Sequence, residues 1–167
     1  MELLLVRHGK AEDRELFARS GQSDEERPLT SAGTKKMKRE THALREFLPR
    51  LHTIGSSPLR RAVQTAEILS DAYGCRLEPV EALAPGSGPE LLLPWLKGQP
   101  HAATVALVGH EPDIGGLACW LLAGKVANFI PFKKGGVCLL HIAGKVGPAS
   151  GELLWSVTPS QLRAMGY

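Results

Sequence analysis

Two hydrophobic periods alternate along this chain. Leu3-Leu4-Leu5-Val6 is an unbroken apolar run that stops at Arg7-His8-Gly9. A run that short predicts a strand buried on both faces rather than a helix. Residues 104–108 repeat the pattern and end in Gly109-His110-Glu111-Pro112. A shorter strand is predicted over 53–57, closed by Pro58, and another over 76–80, where Pro79 points to a sheet edge. Between the strands the spacing becomes helical. One helix is predicted from Thr30 or Ser31, both good N-caps, to Pro49. A second starts near Leu59, carries Leu59, Ala62, Val63, Ala66, Leu69 and Tyr73 as one stripe, and stops at Gly74. A third is led by Pro89 and kinked by Pro94, and a fourth spans 112–122 with Gly124 as its stop. Residues 137–142 and 153–157 read as an antiparallel hairpin, with a short helix over 159–165. Residues 10–29 are polar and read as a loop with a helical turn near Leu16 and Phe17. This order predicts an α/β three-layer sandwich, with a mostly parallel central sheet and an antiparallel edge.

At 167 residues the chain fits one domain, 1–167. Its hydrophobic fraction of 43% and charged fraction of 22% are those of an ordinary globular protein. The net charge of +3 suits anionic ligands without marking a nucleic-acid binder, and aromatics at 5% are too few for base-stacking platforms. No apolar run reaches the roughly 18 residues of a membrane span. Glu2 followed at once by a strand does not resemble a signal peptide. Cys75, Cys119 and Cys138 are odd in number and widely spaced, which fits a reducing compartment, so the cytoplasm is the expected location.

The chemistry gathers at the ends of the predicted strands. In open α/β sheets the carboxyl ends of the strands are where ligands bind. Two buried strands run directly into His8 and His110, and as parallel neighbours they would release both imidazoles at one edge. A third strand ends at Ser56-Ser57-Pro58, and the helix after it opens with Arg60-Arg61. A helix N-terminus favours anions and repels cations, so arginines there call for an anion nearby. The two are about 100° apart on a helix, so one faces the site. Arg61, next to the small Ala62 of the buried stripe, is the expected one, with Arg60 solvated. Arg7, Arg61, His8 and His110 together make a pocket for a tetrahedral dianion. A solvated arginine and a turn histidine explain any one of these motifs, but three strand ends together argue for a shared site.

Arg7-His8-Gly9, Ser57-Pro58-Leu59-x-Arg61-Ala62-x-x-Thr65 and Gly109-His110 resemble the histidine phosphatase superfamily, whose fold is called phosphoglycerate mutase-like. Arg27-Pro28-Leu29-Thr30-x-x-Gly33, His110-Glu111-Pro112, Lys133-Lys134-Gly135-Gly136 and Leu153-Leu154-Trp155 are similar to the SixA-type phosphohistidine phosphatases. The resemblance implies that His8 is a nucleophile that becomes phosphorylated and is then freed by water. It implies that Arg7 and Arg61 bind the phosphoryl oxygens and work against protonation of His8. It implies that His110, protonated beside the dianion, adds a donor, and that no metal or other cofactor is needed. Glu81 is the best-placed candidate to protonate a leaving group, or else a solvated loop residue. Arg27 reaches the substrate, pairs with Asp24 or Glu25, or does both. Phosphoglycerate mutases usually carry an asparagine where this chain has Arg14, and a longer covering segment, which argues against mutase activity. The expected substrate is a phosphohistidine protein. Small phosphate esters, or a non-catalytic role in binding phosphorylated partners, are the alternatives. Neither nucleic acid nor membrane is an expected partner.

Overall fold

The computed structural model describes residues 1–166. Six strands form one sheet: β1 (Glu2–Arg7), β2 (Thr53–Ser56), β3 (Arg76–Pro79), β4 (Thr104–Gly109), β5 (Val137–Ile142) and β6 (Gly151–Val157). Their order is β3-β2-β4-β1-β5-β6. β1 to β4 are parallel, whereas β5 runs antiparallel to both β1 and β6. The sheet is therefore mostly parallel with an antiparallel edge, as its apolar runs predict.

The helices are α1 (Arg14–Ala18), α2 (Ser31–Phe47), α3 (Arg60–Tyr73), α4 (Leu93–Lys97), α5 (Asp113–Ala123) and α6 (Pro159–Met165). Successive strand residues face opposite sides of a sheet, so each buried strand feeds two cores. Leu3, Leu5, Val105 and Leu107 pack with Leu96, Ile114, Leu117 and Leu121 of α4 and α5. Leu4, Val6, Ala106 and Val108 pack with Leu44, Ala62, Leu69 and Leu162 of α2, α3 and α6. This explains why the strand runs are continuously apolar. Helices α3 and α5 end where expected, with Gly74 and Gly124 in the left-handed conformation.

The polar segment 10–29 holds the expected helical turn near Leu16 and Phe17 as α1, capped by Asp13, and adds a 3₁₀ turn at Asp24–Glu26. Two differences from the sequence expectations have local causes. Pro94 divides the helix expected from Pro89 into a 3₁₀ turn, Pro89–Leu92, and α4, in whose first turn Pro94 sits. A proline there lacks only an N–H that has no helical partner in any case. β3 is the edge strand that Pro79 suggests, but it stops before Val80, which turns inward and donates its N–H to Ser56 O at 2.8 Å.

Gly33 seats the start of α2 against the segment after β1. Thr30 caps α2 by accepting from the Gly33 N–H at 2.9 Å, and its own N–H donates to Lys10 O at 3.0 Å. A Cβ at position 33 would lie 2.1 Å from Lys10 O, so only glycine allows this approach.

Candidate active site

Backbone register assembles the floor of the site. Arg7 pairs with Gly109 across β1 and β4, so the next residues, His8 and His110, leave the sheet side by side. The His8 N–H continues the ladder to Gly109 O at 3.0 Å, and the Ser57 N–H does the same from β2 to Val108 O at 3.0 Å. The two imidazoles stand 5.1 Å apart, centre to centre, tilted by 55°. Ser57 Oγ lies 2.7 Å from His110 Nε2. The acceptor for His8 Nδ1 is the Gly9 carbonyl at 2.7 Å, so Nδ1 carries the hydrogen and Nε2 keeps its lone pair. The Gly9 N–H donates to Thr65 Oγ1 at 3.0 Å, and that hydroxyl donates to Arg61 O at 2.7 Å. The segment carrying the nucleophile candidate is thereby tied to the first turns of α3.

Arginines close round these rings. Arg61 is only 3% exposed and lines the cavity, whereas Arg60 is exposed, as the helical spacing predicts. Arg7 donates to Phe132 O at 2.6 Å. Arg27 lines the cavity and is also paired: its Nε donates to Asp24 Oδ1 at 2.7 Å and its Nη1 to Glu12 O at 2.7 Å. Asp24 also meets Arg61, by its carbonyl at 2.9 Å and by Oδ2 at 3.2 Å. The hydrogen bond from Arg27 and the nearby guanidinium charges hold its carboxyl below the usual range. The cavity measures about 670 Å³.

Charge and burial keep both imidazoles neutral. Burial, then the charges of His110, Arg61 and Arg7, lower the His8 pKa to about 3 against the pull of its bond to Gly9. Burial is the largest cause, ahead of the arginines that the family resemblance points to. His110 is lowered to about 4 by burial and Arg61, so in the free site it is neutral rather than protonated. Arg7 Nε, Arg61 Nε and His110 Nδ1 are buried with no hydrogen-bond partner. Unmet polar atoms on this scale, two of them guanidinium donors, are costly unless an oxyanion or water completes them. Among the described residues no cluster of three His, Cys, Asp or Glu is arranged to hold a metal ion, and no helix is long and apolar enough to cross a membrane.

The family model described as histidine phosphatase superfamily (branch 1) matches residues 3–85. A Picosynechococcus sp. protein described as uncharacterized is 37% identical over 140 residues, 82% of either chain. This chain belongs to the histidine phosphatase superfamily. Among solved structures, the protein histidine phosphatase SixA complexed with tungstate has a TM-score of 0.82 at 24% identity, over 97% of this chain and 99% of that one. A phosphoserine phosphatase from Entamoeba histolytica, in complex with 3-phosphoglyceric acid, has a TM-score of 0.70 at 16% identity, over 96% and 98%. Both show the shared phosphoglycerate mutase-like fold.

In this superfamily member one expected site residue lies elsewhere. Glu81 opens a 3₁₀ turn, Glu81–Leu83, stands exposed and does not line the cavity. It follows β3, which β2 and β4 separate from β1, and the turn buries Leu83 instead. Pro85 is the residue from this segment that reaches the cavity. Ser57 and Thr65 belong to the motif that carries the family resemblance, but their contacts become visible only in the fold: strand register brings Ser57 to His110, and Thr65 ties Gly9 to α3. Glu111, which accepts from the Phe132 N–H at 3.1 Å, and Lys134, both within the SixA-like motifs but given no role by the sequence, also line the cavity.

Proposed function

We propose that this chain is a metal-independent phosphohistidine phosphatase that works through a phosphohistidine intermediate on His8. The observation that carries the reading is His8 Nε2: a neutral, lone-pair-bearing nitrogen, held by its neighbour's carbonyl among buried guanidinium groups. In the first step Nε2 forms a bond to phosphorus while the bond from phosphorus to the substrate nitrogen breaks, its electron pair returning to that ring. In the second step water adds to phosphorus, the Nε2–phosphorus bond breaks, and inorganic phosphate leaves. Arg7, Arg61 and His110 surround the phosphoryl oxygens, whose negative charge draws a proton onto His110. Positive charge that a metal supplies in kinases comes here from arginine.

The leaving group distinguishes phosphohistidine from an ester. An alkoxide needs a proton donor, whereas an imidazole can depart already protonated on its other nitrogen. Of the carboxylates that line the cavity, Asp13 caps α1 and Glu111 accepts from Phe132, while Glu12 is exposed. Glu81 is outside. With the lining carboxylates engaged by main-chain N–H groups or exposed, the site suits the phosphoramidate, whose leaving group needs no separate proton donor. The neighbour that binds tungstate, a tetrahedral oxyanion, is a protein histidine phosphatase. Three unpaired cysteines fit action in the reducing cytoplasm.

The test is turnover of a ³²P-labelled phosphohistidine protein beside sugar phosphates and an aryl phosphate, with an alkaline quench to keep the acid-labile intermediate. The expected result is preference for the phosphohistidine protein and label trapped on the wild type but not on His8→Ala. Clear preference for the small esters would overturn the substrate assignment. No label and no turnover would make the protein a binder of phosphorylated partners.

A further inference from the structure

A second cavity of about 380 Å³ adjoins the active site, and Lys10 and Lys134 line both. Lys36, Lys133 and Arg163 also line it, with Glu40 as its carboxylate. Glu40 is buried and paired with Arg163, so it neutralises that guanidinium. Lys10, Lys36, Lys133 and Lys134 are exposed and, among the described residues, make no ion pair. They come from three separate segments: the stretch after β1, helix α2 and the stretch before β5. Bringing four like charges together from distant parts of the chain is unfavourable unless an anion is to lie among them.

The two cavities differ in the cations they present. Around His8 these are chiefly guanidinium groups, whose planar forks match a phosphoryl group. The second is rimmed by ammonium groups, compact hydrated charges on flexible stems, which suit carboxylates that remain partly wet. With Lys10 and Lys134 common to both, one extended ligand can occupy the two together. We propose that the second cavity is a docking site for acidic side chains that flank the phosphorylated residue of a protein substrate. For the phosphoryl group this rests on the function proposed above, but recognition of the acidic flank is independent of catalysis.

The test uses the charge-reversed double variant Lys36→Glu, Lys133→Glu, neither of which lines the active-site cavity. The probes are a fluorescent Asp-rich peptide without phosphate, phosphohistidine peptides with acidic and neutral flanks, fructose 1,6-bisphosphate and p-nitrophenyl phosphate. The variant should bind the Asp-rich peptide about tenfold more weakly, and its KM for the acidic-flank peptide should rise by a similar factor at unchanged kcat. Its kinetics on p-nitrophenyl phosphate should stay within about twofold of wild type. An equal loss on p-nitrophenyl phosphate, unchanged peptide binding, or an effect confined to fructose 1,6-bisphosphate would each overturn the proposal. Loss of peptide binding in the variant, with no phosphohistidine turnover by the wild type, would keep the docking site and reject the proposed substrate.

Discussion

The floor of the active site and its arginine-rich wall are held by different forces. His8, His110 and Ser57 extend three adjacent parallel strands, and main-chain hydrogen bonds fix their positions. Arg27 and Arg61 are instead gathered by one carboxylate, Asp24, from the segment 10–29. That carboxylate is 43% exposed. Backbone pairing inside a core is insensitive to salt, whereas a half-exposed ion pair is screened by it. The floor therefore sets where chemistry can happen, and the wall sets how well an anion is held there.

The largest expected effect comes from the floor. His8→Ala should lower turnover on the order of 10⁴-fold or more, since no other group can replace the nucleophile. Arg61→Ala should cost about 2–4 kcal/mol of transition-state stabilisation, read from kcat/KM, while Arg60→Ala stays near wild type. A loss below about tenfold for Arg61 would assign the phosphoryl contact elsewhere. Acid should act on stability through the two histidines. Unfolded imidazoles titrate near 6.5, but His8 and His110 do so at about 3 and about 4 in the fold. Between those values the unfolded chain holds more protons, so folding stability is full above 6.5 and declines as pH falls towards 4. The gap in Tm between pH 7 and pH 4.5 should shrink in His8→Asn. The acid limb of kcat/KM due to His8 should also lie below pH 5, and a limb near 6.5 would contradict its burial. The smallest effect belongs to the wall: Asp24→Asn should cost about 1 kcal/mol in kcat/KM at low salt and less at high salt. A salt-independent loss would place Asp24 with the floor instead.

The same division governs what could be read from the sequence. Apolar runs that end in His8 and His110 announce buried strands, and neighbouring parallel strands leave their following residues at one edge. Arg61 was separable from Arg60 because helical spacing turns only one inward. Asp24 was one of two acidic neighbours, with Glu25, expected to pair with Arg27, and the fold selects Asp24. Its reach to Arg61 depends on how a polar segment folds back, which no periodicity encodes. Glu81 shows the opposite failure: its position after a strand was right for a site residue, but that strand is the outermost and the turn after it buries Leu83. The expectation of a protonated His110 described the liganded site. Without an anion, burial beside Arg61 keeps the ring neutral.

The pairing of Arg7 with Gly109 also limits how this protein can diversify. One residue inserted within either strand would invert the alternation of its side chains, driving core leucines outward and an imidazole away from its twin. Changes in chain length are tolerable only beyond the strand ends, in stretches such as 10–29 and 124–136. New ligand preferences can thus arise in the surrounding loops while the reacting pair is inherited unaltered.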